Sequence, residues 1–173
     1  MRTPGFTLPE LLIALAVVCV LFFSSNAIGS LLAKQRLDSS ARELASTLRY
    51  ARSKAVIAQA NVTVLAINGR WSNGWQVFLD HNRNAQLDSN EVVLINRNSP
   101  LGLRASGNNP VASYVHYSAQ GIPELVNGGF QAGSILFCSL DPELNSIKMI
   151  LSSSGRVRTE KHSNSACAAA KAP

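Results

Sequence analysis

The segment Ser-Ser-Ser-Gly-Arg-Val-Arg-Thr-Glu-Lys, residues 152–161, carries two guanidiniums one residue apart behind a glycine. In an extended strand Arg156 and Arg158 project from one face and Val157 from the other, because side chains alternate with a period of two. Each guanidinium can fork a pair of phosphate oxygens, which a lysine ammonium does less well. Gly155 permits backbone conformations that turn the segment sharply and bring it close to a partner. Lys161 adds a third charge, and Glu160 offsets part of it. On the residues alone, a solvated basic hairpin and an anion-gripping turn are both open, the first being the commoner use of short basic runs.

A second constellation is the stretch Asp80-His-Asn-Arg-Asn-Ala-Gln-Leu-Asp-Ser-Asn-Glu91. Asp80, Asn82, Asn84, Asp88 and Glu91 fall at positions one, three, five, nine and twelve of an EF-hand-like calcium loop. Position six, where that loop needs glycine, is Ala85, and the flanking residues read as strands rather than helices. The default for such a loop is a hairpin connection stabilised by Asx turns, with no metal. His81, His116 and His162 have no Ser or Cys at motif spacing, and neither a nucleophile elbow nor a phosphate loop occurs. No C-x-x-C or Cys/His cluster suggests zinc. Trp71 and Trp75 bracket a turn, where core packing is a commoner role than base stacking. The chain therefore reads as a non-enzyme without a cofactor.

The elements that carry these groups begin with a basic chain of 173 residues and formal net charge +6, long enough for one domain with a sizeable core and one extra element. Such a balance suits an anionic partner, nucleic acid or membrane surface, without specifying a fold. Leu11 to Phe23 is uninterrupted apolar sequence, and Phe6 to Phe23 as a helix rises about 27 Å, close to the hydrocarbon thickness of a bilayer. A cleaved signal peptide fits less well, since Ser24 onward runs straight into more helical sequence and Asn26-Ala27-Ile28 is a poor cleavage site. Glu10 is the odd residue, a carboxylate at the head of the apolar run that needs a partner or a function. It suits a helix N-terminus.

Helical patterning continues to about Ala60, with Leu37, Ala41, Leu44, Leu48, Ala51 and Ala55 forming a stripe suited to packing on a sheet. Ser24-Ser25-Asn26 and Gly29-Ser30 are weak helix formers, where melting on assembly is expected. The opposite face is basic, with Lys34, Arg36, Arg42, Arg49, Arg52 and Lys54. Beyond it, NVTVLAI, GWQVFL, EVVLI, SYVHYS, SILFCS and SIKMILS read as strands, with SPLGLRASGNNP as a separator between two of them. A long N-terminal helix across an antiparallel sheet is an α+β fold.

Gly5, Phe6 and Glu10, in G-F-T-L-x-E followed at once by the apolar run, resemble the processing site of type IV prepilins and type II secretion pseudopilins. The stretch GWQVFLDHNRNAQLDSNEVVL resembles the corresponding segment of the FimT and GspH-like minor pilins and pseudopilins, so that the resemblance spans essentially the whole chain. It implies the type IV pilin fold: leader 1–5, transmembrane and assembly helix 6–30, amphipathic helix 31–60, β-rich head 61–161 and tail 162–173. It also implies cleavage between Gly5 and Phe6 by a prepilin peptidase, N-methylation of Phe6, and pairing of Glu10 with the new amine of a neighbouring subunit. The inner membrane would hold the helix with the head periplasmic, until the subunit joins other major and minor pilins in a surface pilus of a Gram-negative cell. In that oxidising location Cys138 and Cys167 are expected to pair, Cys19 lying inside the apolar run. In the FimT-like minor pilins linked to natural transformation a C-terminal G-R-x-R element contacts DNA, and Gly155, Arg156, Val157 and Arg158 match it. The resemblance thus implies double-stranded DNA as a partner, held by its phosphates. A secretion pseudopilin, and a minor pilin that only primes assembly or adheres, remain the alternatives. In cells that process prepilins, Gly5→Ala is expected to leave the chain at full length on an immunoblot; normal trimming would refute the leader assignment.

Overall fold

The computed structural model describes residues 7–98, 102–141, 143–163 and 167, with backbone alone for 20–28. Gly5 and Phe6 lie outside these residues. Helix α1, Leu8–Ala58, dominates the chain and is about 76 Å long at the α-helical rise per residue. Its first turn is closed by Glu10, whose Oε2 accepts from the Thr7 amide at 3.1 Å and the Thr7 hydroxyl at 3.0 Å. Its last turn ends at Gln59 in the left-handed region. The weak formers between Ser24 and Ser30 do not interrupt it. Leu8, Leu11, Leu12, Ile13, Leu15, Val17 and Val18 are all exposed on this half of the helix. A helix apolar on all sides needs an apolar surrounding that the rest of the chain does not supply. Among the described residues no helix is long and apolar enough to cross a membrane; the apolar run continues into 20–28.

The second half of α1 is amphipathic as its spacing requires. Leu37, Ala41, Leu44, Ala45, Leu48, Ala51 and Ala55 are all buried. They lie against two four-stranded antiparallel sheets rather than the single sheet expected. One has the order β3(Val93–Asn98), β2(Gly74–Leu79), β1(Val62–Ala66), β5(Tyr114–Tyr117). The other has the order β4(Leu103–Gly107), β6(Gly133–Ser139), β7(Ser146–Leu151), β8(Val157–His162). The alternation in β7 shows the logic: Ile147, Met149 and Leu151 are buried beneath α1, while Lys148 and Ile150 are half-buried on the other face. Trp71 and Trp75 are core residues, their indole N–H groups donating to the Val111 carbonyl at 2.9 Å and the Thr47 hydroxyl at 3.2 Å.

Two sequence expectations need correction here. The SPLGLRASGNNP separator contains β4, which ladders to β6 from Leu103 opposite Ser139 to Gly107 opposite Ile135. Its glycine and serine content hides a strand because β6, not local propensity, satisfies the backbone. Strand β3 begins at Val93 rather than Glu91, because the Glu91 carboxylate accepts from the His81 and Asp88 amides and holds the chain in the loop.

Cys138 and Cys167 are joined by a disulfide, with Cα atoms 5.9 Å apart, and both are buried. Cys138 stands opposite Arg104 on the face of β6 turned away from α1. The bridge therefore ties residue 167 to the outer side of the second sheet. The bridged cysteines are separated by 29 residues. Replacing both with serine is expected to cost about 3–4 kcal/mol, from the greater freedom of the unfolded chain. That should appear as a fall of about 10 °C in the melting midpoint by circular dichroism; an unchanged midpoint would contradict it.

Candidate nucleic-acid interface

The G-R-V-R segment forms the turn between β7 and β8. The Ser152 amide donates to the Arg156 carbonyl at 3.0 Å, and the Gly155 amide to the Ser152 carbonyl at 2.9 Å. The Arg156 amide donates to the Ser152 hydroxyl oxygen at 3.0 Å. Gly155 is buried with φ +77°, while Arg156 and Arg158 on either side of Val157 are exposed. Val157 packs against the core, as the alternation requires. Arg158 Nε lies 3.4 Å from Glu160 Oε1, with both side chains open to solvent, so this pair restrains the guanidinium only weakly. Among the described residues Arg156 has no carboxylate partner.

Register separates Lys161 from this pair. Arg158 stands opposite Ile150 and Glu160 opposite Lys148, whereas Val157, Thr159 and Lys161 stand opposite Leu151, Met149 and Ile147. Lys161 therefore projects toward α1, where it lines a groove with Asp38 and Arg42. The expectation that it adds charge beside Arg156 and Arg158 is corrected: an odd number of residues separates the faces of a strand, and Lys161 is three from Arg158. The outward face holds instead Lys148 on β7 and, farther across the sheet, Arg104 on β4.

The 80–91 loop spends its oxygens internally. Asp80 is buried, its Oδ2 accepting from the Thr63 hydroxyl at 2.7 Å and the Ala85 amide at 3.0 Å, and its Oδ1 from the Asn84 amide at 3.2 Å. His116 Nδ1 is 3.3 Å from Asp80 Oδ2 and 2.8 Å from the Thr63 hydroxyl oxygen. Asp88 Oδ2 accepts from the side-chain amides of Asn82 at 2.8 Å and Asn84 at 3.0 Å. Ala85, at the glycine position of the calcium pattern, has φ +56°. Among the described residues no group of three His, Cys, Asp or Glu is placed to hold a metal ion. The loop is held as a hairpin connection closed on Asp80.

The Thr63–Asp80–His116 network was invisible in the sequence, since its members come from β1, the β2 end and β5. The signals were a threonine inside an apolar strand and a histidine inside another, and both need partners once buried. Burial pushes the Asp80 carboxyl up, but the hydrogen bonds from His116, Thr63 and the Ala85 amide, with the His116 charge, outweigh it and hold it below the usual 3.8. Its stabilisation is therefore complete above the unfolded value and lost as pH falls through the lower folded value.

A long N-terminal helix laid over antiparallel sheets, with exposed apolar side chains from Leu8 to Val18, is the fold of the pilin class. The family model for type II transport protein GspH matches residues 40–155, and the chain belongs to that family. The match ends at Gly155, before the two arginines. Among solved structures the chain is similar to the Pseudomonas aeruginosa type IV minor pilin FimU, at 21% identity and TM-score 0.58 over 73% of this chain and 89% of that one. It is also similar to the minor pseudopilin EpsH from the type 2 secretion system of Vibrio cholerae, at 11% identity and TM-score 0.53 over 73% of this chain and 97% of that one. No curated protein sequence matches it. The chain is thus a member of the GspH family with the fold shared by these minor pilins and pseudopilins.

Asp80→Asn is expected to lower stability by about 1–3 kcal/mol at neutral pH by weakening the buried network. The difference from the unaltered chain should shrink on acidification and vanish once Asp80 is protonated in both states. Thermal melts at a series of pH values between about 7 and 3 test this; a constant difference across the series would contradict it.

Proposed function

We propose that this subunit is a minor type IV pilin that binds extracellular DNA without sequence preference, through the turn at Gly155–Arg158, and supports DNA uptake in natural transformation and pilus biogenesis. The observation that carries the reading is the pair of exposed guanidiniums on one hairpin end, with Arg156 free of any carboxylate partner among the described residues. Phosphate oxygens supply the planar acceptor pairs that such guanidiniums fit. A small basic patch on a strand edge reaches the backbone and does not read base edges, so affinity should be weak and steeply salt-dependent. Several copies along a filament add avidity.

The same reading gives the N-terminus its role. A prepilin peptidase cuts between Gly5 and Phe6, Phe6 is N-methylated, and the apolar run holds the precursor in the inner membrane with the head periplasmic. Glu10, which caps α1 through Thr7, exchanges that contact for the free amine of a neighbouring subunit during assembly. A second reading, a structural pseudopilin of type II secretion, is favoured by the GspH match. Deleting the gene separates the two: loss of DNA uptake with secretion intact supports the first, and loss of secretion with uptake intact the second.

Fluorescence anisotropy of labelled duplex DNA with the full chain in detergent tests the contact. Changing Arg156 and Arg158 together to Gln is expected to weaken binding about tenfold or more and to flatten the plot of log affinity against log salt by about 1.8. Unchanged affinity and slope would remove the arginines from the contact.

A further inference from the structure

We propose that Arg52, on the head-facing stretch of α1, is a third phosphate contact at the same turn, with Gly155 and Gly121 leaving the space in which its side chain lies. This rests on the DNA-binding reading above. Arg52 lies between Ala51 and Ala55 of the buried stripe and is itself half-buried. Its side chain runs through a slot with a glycine on each wall. A Cβ on Gly155 would stand 3.1 Å from Arg52 Nε and 3.3 Å from its Cζ. A Cβ on Gly121 would stand 2.8 Å from Val56 Cγ2, and 3.3 Å from Arg52 Cγ and 3.4 Å from its Nε. The Gly121 carbonyl oxygen is 3.0 Å from the same point at Gly155, so the two glycine backbones also meet each other. Both glycines have positive φ, +77° and +74°, so any other residue would be strained as well as crowded.

The consequence is electrostatic. The Arg52 guanidinium rests against the backbone of residue 155, the residue before the exposed Arg156, so a charge from α1 reaches the turn that carries the arginine pair. Among the described residues no carboxylate pairs with Arg52; Glu43 is engaged with Arg97, Asp80 with His116 and Glu160 with Arg158. Half-burial between the glycine walls lowers the local dielectric, which strengthens the attraction for a phosphate relative to an open surface arginine. The surface alongside is an open depression lined by Arg52, Ser53, Val56 and Ile57, not an enclosed pocket. A single small anion would remain uncovered there. An extended phosphodiester chain can lay neighbouring phosphates on Arg52 and Arg156 at once, so a nucleic-acid backbone is the chemistry this arrangement fits.

The test uses the full chain in detergent with labelled mixed-sequence duplex DNA, titrated at several sodium chloride concentrations, and melting midpoints recorded for every variant. Arg52→Gln is expected to weaken binding about three- to tenfold and to reduce the salt slope by about 0.9, one phosphate contact. Arg52→Lys keeps the stem and the charge, and should retain the slope with a smaller loss of affinity. If Arg52→Gln binds with unaltered affinity and slope while the Arg156 and Arg158 double change still weakens binding and flattens the slope, the Arg52 contact is overturned and the DNA reading stands. If both Arg52 variants bind more weakly with a lowered melting midpoint but an unaltered slope, Arg52 is a packing residue and the proposal is overturned. Failure of the unaltered chain to bind DNA would overturn both readings together.

Discussion

The packing of one helical stripe under two sheets is the contact on which the rest of this head depends. Among the described residues the sheets share no ladder, and both bury apolar faces against α1. The stripe is suited to this because it mixes sizes. Ala41, Ala45, Ala51 and Ala55 let strands approach the helix closely, while Leu37, Leu44 and Leu48 fill the space between. Each of those leucines contributes about 2 kcal/mol by burial. A helix bound to the sheets on one side only must leave its basic side outward, and its apolar side chains from Leu8 to Val18 are exposed as well.

The placement of the arginine turn follows from where that helix ends. Its last turns pass beneath the β7–β8 turn and the loop after β5, and the close approach is made by Gly155 and Gly121. The G-R-V-R segment is thus held from below by the helix while its arginines stay in solvent. The glycine in that motif has a different job from the arginines: it is a buried contact with α1, not a hinge in a free loop. At the other side of the head, Asp80 performs a comparable service. It draws the 80–91 loop onto β1 and β5 through donors that leave no carboxylate oxygen of Asp80 unengaged.

The fold was legible in the sequence to the extent that it rests on local periodicity. The helical stripe, the alternation in β7 and the burial of Val157 between two exposed arginines are consequences of 3.6- and 2-residue repeats, and each stands where its spacing placed it. Where the backbone's partner is distant, the sequence misleads. Strand β4 is composed like a loop and exists because β6 supplies its hydrogen bonds. Lys161 looks adjacent to Arg158 along the chain, and strand geometry puts it on the opposite face, facing Asp38 and Arg42.

By itself, then, the order of residues determined the long helix, which of its faces is buried, the strand-rich head, and the chemistry of two arginines one residue apart. These are properties of neighbours along the chain, governed by local conformation and apolar spacing. Only the tertiary structure decided that there are two sheets, that Thr63, Asp80 and His116 meet, and that Arg52 lies against Gly155. Those pairings join residues far apart in sequence, and they are selected by burial and by the need of each buried polar group for a partner, quantities defined only once the chain has closed on itself.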